Sequence, residues 1–149
     1  LSFYAFEALR AAGKRGSLHI TSARFNKPQA LALVGEAQKV VAIHGRADDG
    51  DPVMVKVGGL DTTLRDQIVS ELTVAGFDAV VVQGRLAGRD SANICNRCAT
   101  GAGVQLELLR TLRTQLTTEP VKLGAFCDAV RAEVASKEIS GKPRRRLPW

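Results

Sequence analysis

An amide, a guanidinium and a carboxylate crowd around one glycine-rich stretch of this chain. Asn93-Ile94-Cys95-Asn96-Arg97 is followed closely by Gly101-Ala102-Gly103-Val104-Gln105-Leu106-Glu107. A carboxylate can take up a proton in a hydrolytic step, and the planar fork of an arginine grips another carboxylate through two hydrogen bonds at once. Gly101 and Gly103 let the backbone turn or approach a ligand closely. The alternation of Val104, Leu106 and Leu108 against Gln105, Glu107 and Leu109 predicts a short strand with Glu107 near its end. A glutamate on such a strand ordinarily lies in solvent, so its neighbours are what single it out.

Histidine supplies the second candidate. Val40-Val41-Ala42-Ile43-His44-Gly45 reads as a strand of β-branched residues closing on an imidazole and a glycine. In open α/β sheets ligands gather at the carboxyl ends of strands, where an imidazole can hold a metal or shuttle a proton. Composition does not separate that role from a histidine that merely caps the strand through hydrogen bonds. His19, inside Leu18-His19-Ile20-Thr21-Ser22, sits between apolar residues and reads as a hydrogen-bonded structural imidazole. Cys95 and Cys98 have C-x-x-C spacing, but no second pair follows and Cys127 stands alone. A four-thiolate zinc site is therefore ruled out, and three cysteines suit a reducing compartment better than a disulfide scaffold.

Taken in order, these blocks resemble the poly-gamma-glutamate hydrolase family of phages and Bacillus, whose members also carry the label of phage-related replication proteins. The resemblance runs through Leu18-His19-Ile20-Thr21-Ser22-Ala23-Arg24-Phe25-Asn26-Lys27-Pro28 and Ala42-Ile43-His44-Gly45. It continues through Val57-Gly58-Gly59-Leu60-Asp61, Ala75-Gly76-Phe77, Gly88-Arg89-Asp90 and the two blocks already quoted. It implies a zinc-dependent hydrolase of γ-glutamyl amide bonds with a zinc carboxypeptidase-like α/β fold. By that likeness His44 is a zinc ligand and Glu107 the general base. Arg97, Asn96 and Arg89 are then the side chains that meet the carboxylates of a polyanionic glutamate polymer, the expected substrate.

Members of that family begin with a segment of the form His-x-Gly-Gly-x-Glu that gives one histidine and one glutamate to the zinc. No such segment is present here. The expectation is of an N-terminally truncated fragment, with the remaining Zn2+ ligands upstream of Leu1; a form that has lost its metal is the alternative. On its own the chain is expected to hold zinc poorly.

Length and composition fit one folded domain over residues 1–140. A chain of 149 residues can bury a sizeable core, and 45% hydrophobic with 24% charged residues is ordinary globular usage. No apolar run approaches the roughly 18 residues that span a bilayer, so no membrane partner is expected. Nothing at the front looks like a signal peptide; a cytoplasmic location is favoured, with release on phage lysis.

The net charge of +6 resembles a nucleic-acid signal until it is located. Lys142, Arg144, Arg145 and Arg146 lie in the tail at 141–149, leaving 17 basic against 15 acidic residues for the rest. Two prolines and clustered like charge predict a disordered tail. The competing reading is a non-catalytic phage replication-associated protein that binds nucleic acid through this tail. Neither an aromatic platform nor a helix-turn-helix supports it.

Something must position the candidates. Strands are expected at 2–6, 17–21, 40–44, 53–57, 79–82 and from Val104 onward, with a polar connection at 13–16. Helices are expected from Pro28 to about residue 37, over 61–75 with Asp61 as N-cap and Gly76 as stop, and over 123–136. The all-apolar Ala79-Val80-Val81-Val82 reads as an interior strand buried on both faces. Together these elements predict a three-layer α/β fold, a mixed but mostly parallel sheet with helices on both faces. A missing N-terminal strand would leave an apolar edge exposed. His44 should sit at the end of a central strand, facing one cleft with Glu107.

Overall fold

A computed structural model describes residues 1–7, 20–48, 50 and 53–135. Their elements are α1 (Pro28–Glu36), β1 (Val41–Arg46), β2 (Val55–Gly59), α2 (Thr62–Val74), β3 (Ala79–Val81), β4 (Val104–Leu109), α3 (Arg110–Thr118) and α4 (Pro120–Ala135). Short 3₁₀ turns occur at Ser22–Arg24, Gly84–Leu86 and Ile94–Arg97. The sheet runs β1-β4-β2-β3. β1 is parallel to β4 and β2 to β3, while β2 and β4 are antiparallel. The sheet is thus mixed and mostly parallel, as its sequence pattern implies.

Local chemistry accounts for α2 at both ends. The Asp61 carboxylate accepts a hydrogen bond from the Leu64 backbone N–H at 2.9 Å, satisfying one of the orphan donors of the first turn. Past the last turn Gly76 adopts φ +85°, while Phe77 N–H donates to Leu72 O and Gly76 N–H to Thr73 O. That is a Schellman ending, and it needs a residue without a Cβ at the left-handed position. Between the ends Leu64, Ile68 and Leu72 recur at every fourth residue and are fully buried. Each contributes on the order of 1.5–3 kcal/mol before the opposing chain entropy.

These side chains meet Val55, Val57, Val104 and Leu106 from the sheet in one core. α4 closes it with Phe126, whose ring meets Phe77 edge-on at 5.5 Å. On the opposite face of the sheet lies the loop that follows β3. α1 packs against the Ile94–Arg97 turn, which touches β1 and β4.

Several elements depart from expectation. Residues 2–6 form no strand; they are exposed, with Tyr4 and Phe6 edge-on to Phe25. The strand expected at 17–21 and the connection at 13–16 fall largely outside the described residues, and residues 20–21 belong to no strand. β3 is an edge strand with Val80 and Val81 exposed, because β2 takes the interior place beside β4. β1 is the other edge of the described sheet rather than a central strand, and Ile43 on its apolar side is 57% exposed. α3 was not expected at all. Four of its nine residues are threonine, a weak helix former, yet Leu112 and Leu116 lie one turn apart in the core. Its first turn is held from a distance: Asp48 accepts hydrogen bonds from Thr111 N–H at 3.0 Å and from Thr111 Oγ1 at 2.9 Å. No helix among the described residues is long and apolar enough to cross a membrane.

Candidate active site on the polar face of the sheet

Alternation along a strand sends consecutive side chains to opposite faces. With Leu106 and Leu108 in the core, Gln105 and Glu107 must project from the other side of β4. Register then decides their neighbours. His44 pairs with Glu107 across β1 and β4, and Lys56 pairs with Glu107 across β2 and β4. Paired residues share a face of the sheet. An imidazole, a carboxylate and an ammonium therefore stand in one row, with Arg46 two residues beyond His44 on the same side.

The neighbouring row is Ala42, Gln105 and Gly58. Small flanking residues leave space over Gln105, and Gly58 is required there: a Cβ on it would run into the Ala87 carbonyl. The loop after β3 thus comes down onto this row. Gln105 Nε2 donates to Glu107 Oε1 at 2.8 Å, and Asn93 Nδ2 donates to Gln105 Oε1 at 2.7 Å. Ser22 Oγ lies 3.5 Å from Gln105 Oε1 and 3.3 Å from His44 Nε2. One hydrogen-bonded network thereby joins His44 to Glu107.

Asn96 and Arg97 are consecutive but differ in environment. Asn96 is 3% exposed. Its Nδ2 donates to the Gly88 and Asp90 carbonyls, both at 2.8 Å, and its Oδ1 accepts from Gly103 N–H at 3.1 Å and Leu60 N–H at 3.4 Å. The side chain is engaged inside the protein and brackets Arg89 from both sides. Arg97 is exposed and donates to the Phe25 carbonyl at 3.3 Å. Arg89 is exposed on the loop that Asn96 ties down.

Cys95 and Cys98 are buried and structural here. Burial, with Cys98 close by, pushes the Cys95 thiol up to about 12, far from nucleophilic at neutral pH. The Cys98 thiol donates to the Ala102 carbonyl at 3.3 Å. Gly103 passes so close to Cys95 that a Cβ would strike its carbonyl oxygen; the close approach is to the chain's own backbone, not to a ligand. His19 and the basic tail at 141–149 lie outside the described residues. Lys56, Gln105, Asn93 and Ser22 were not singled out in the sequence. For Gln105 a signal was present, since period-two alternation puts it on the face of Glu107. Lys56 was marked only as the charged residue of an otherwise apolar and glycine strand.

The sequence model of the poly-gamma-glutamate hydrolase family matches residues 1–123. The chain belongs to the poly-gamma-glutamate hydrolase family. Its fold is similar to that of a bacteriophage poly-gamma-glutamate hydrolase, at 32% identity and a TM-score of 0.74 over 81% of this chain and 63% of that one. A zinc-free structure of YndL matches at 33% identity and a TM-score of 0.65, over 71% of this chain and 52% of the other. Two relatives from Bacillus subtilis (strain 168) each align over 117 residues, or 77% of the chain. They are the SPbeta prophage-derived protein YoqZ, 40% identical, and YndL, 37% identical. The chain spans 42% and 45% of their respective lengths.

Proposed function

We propose that this chain carries the His44–Glu107 part of the active site of a zinc-dependent hydrolase that cleaves γ-glutamyl amide bonds in poly-gamma-glutamate. The observation that carries the reading is the in-register pairing of His44 with Glu107 on the polar face, in a chain similar in fold to a phage poly-gamma-glutamate hydrolase. A relative solved in a form described as zinc-free supports the metal.

The described residues do not by themselves fit a catalytic zinc. Such a site takes three protein ligands and an open position, and no three His, Cys, Asp or Glu side chains converge among the described residues. In this reading His44 is one ligand and the others come from outside the described residues. Glu107 accepts a proton from the water whose oxygen attacks the scissile carbonyl carbon, and returns it to the departing amine as the C–N bond breaks. Arg97 and Arg89 hold the free carboxylates that each glutamyl unit carries. Asn96 acts one step away, holding the loop on which Arg89 stands.

The test is hydrolysis of poly-gamma-glutamate by the full-length gene product, with bound zinc measured alongside. Expected are zinc-dependent cleavage of the γ-linked polymer, none of the α-linked one, and loss of both zinc and turnover in His44→Ala. The 149-residue chain alone should fail to retain stoichiometric zinc through dialysis against a weak chelator. Undiminished cleavage by His44→Ala, or no cleavage by the zinc-loaded wild type, overturns the reading.

A further inference from the structure

We infer that Asn93 and Gln105 are positioning residues, forming a relay that starts at a backbone N–H and fixes how Glu107 is presented to substrate. The inference rests on the reading of Glu107 as proton acceptor, and adds residues to which that reading gives no role.

A primary amide has a donor end and an acceptor end of nearly the same shape, so its orientation must be deduced from partners of fixed polarity. Here such a partner exists. The Cys95 backbone N–H, which can only donate, faces Asn93 Oδ1 at 3.2 Å. Asn93 must therefore turn its oxygen to Cys95 and its NH2 to Gln105. The atom receiving that NH2, at 2.7 Å, is consequently Gln105 Oε1. This leaves Gln105 Nε2 toward Glu107, donating to Oε1 at 2.8 Å. Reversing either amide would set like ends against each other.

The relay is caged. Asn93 and Gln105 are each 5% exposed, at a depth where an unmatched polar group costs heavily. Ala42 and Gly58 flank Gln105 in the sheet. Gly88 closes over it so tightly that a Cβ there would lie 3.2 Å from Gln105 Cβ. Ser22 ties the same Gln105 oxygen to the imidazole of His44. Held in this way, Glu107 needs no reorientation when substrate arrives, which is how a rigid supporting shell accelerates a reaction.

The distinguishing consequence is that Asn93 matters without touching Glu107. In Asn93→Asp the carboxylate still accepts from Cys95 N–H but has no proton for Gln105, whose amide must then turn its oxygen to Glu107. Gln105→Glu presents an oxygen there directly. In the full-length hydrolase each should lower kcat about 10- to 100-fold, with KM and zinc content held, as expected for a contact that acts in the transition state. The double variant should lose no more than the worse single one. The Gln105 side-chain NH2 signal in a 15N–1H spectrum should shift in Asn93→Asp much as it does in Glu107→Gln, a readout that does not require Gln105 to be replaced. An unmoved signal, kcat at the wild-type level in either folded single variant, or losses that multiply in the double variant overturns the relay. Glu107→Gln separates the two readings: full activity there removes the general base itself, whereas an inactive Glu107→Gln beside fully active Asn93→Asp and Gln105→Glu removes the relay alone.

Discussion

Leu106 and Glu107 are consecutive residues of β4 that serve opposite faces of one sheet. Leu106 is fully buried against α2 and its strand neighbours. Glu107 stands in a polar row between His44 and Lys56, with Gln105 donating to its carboxylate. The backbone treats them alike; what differs is the solvent each side chain meets. Apolar burial is additive and non-directional, so the core face tolerates exchange among similar aliphatic residues. Hydrogen bonds require donor to meet acceptor at fixed distance, so the polar face depends on every amide end being the right way round. Apolar packing is concentrated on one side of the sheet and a hydrogen-bonded polar network on the other.

Substitution of Glu107 and of Leu106 should therefore have opposite consequences. Glu107→Gln should cost about 10²- to 10⁴-fold in kcat, the usual contribution of a positioned general base, while its denaturation midpoint stays near that of the wild type. Leu106→Ala should lose about 2–5 kcal/mol of stability and lose activity only as the protein unfolds. Urea titration and steady-state kinetics on the full-length protein separate the outcomes. If Glu107→Gln unfolds as readily as Leu106→Ala, the polar face is a second core rather than a site.

Asn96 and Arg97, adjacent in one turn, differ in the same way: one is buried and the other exposed. Asn96→Ala strands the N–H groups of Leu60 and Gly103 and the carbonyls of Gly88 and Asp90. Each buried orphan costs about 1–3 kcal/mol, so a loss of more than ~2 kcal/mol is expected in a denaturant titration. Arg97→Lys keeps the charge but not the fork. It should reduce kcat/KM on the polymer about ten-fold, with less than ~1 kcal/mol of stability change. Unchanged turnover by Arg97→Lys would make Arg97 solvated surface.

The smallest effect belongs to Asp48, which lies past the end of β1 and bonds to the first turn of α3. Hydrogen bonds from the Thr111 backbone and hydroxyl hold its carboxyl below the usual aspartate range, aided by Arg110. A lowered folded value means the unfolded chain binds the proton more readily. The stabilisation is therefore present above the unfolded value of about 3.9 and fades as pH falls through the folded one. Wild type should exceed Asp48→Ala in urea midpoint near neutral pH, and the gap should close in acid. A gap that widens on acidification would reverse the assignment.

Features written in neighbouring residues were legible in the sequence. α2 with its Asp61 cap and Gly76 stop, the opening of α1 at Pro28, and the alternation of β4 all depend on contacts within a few positions, so the sequence alone determined them. The ordered blocks from Leu18 to Glu107 likewise carried the family. Tertiary structure decided what depends on partners distant in the chain. α3 is a poor helix on its own propensity and takes its cap from Asp48, 63 residues upstream. β3 is an edge of the described sheet because β4, later in the chain, pairs with β1 and β2 and not with β3. That placement of β4 set His44 and Lys56 on either side of Glu107, a pairing that strand register alone creates. Asn96 and Arg97 looked alike as candidates, since a sequence shows which groups can hydrogen-bond and not which carbonyls will close over them. The fold took Asn96 inside, where the Gly88 and Asp90 carbonyls and the Leu60 and Gly103 N–H groups surround its amide, and left Arg97 facing outward, because an amide can match two donors and two acceptors at once and a guanidinium, which only donates, cannot.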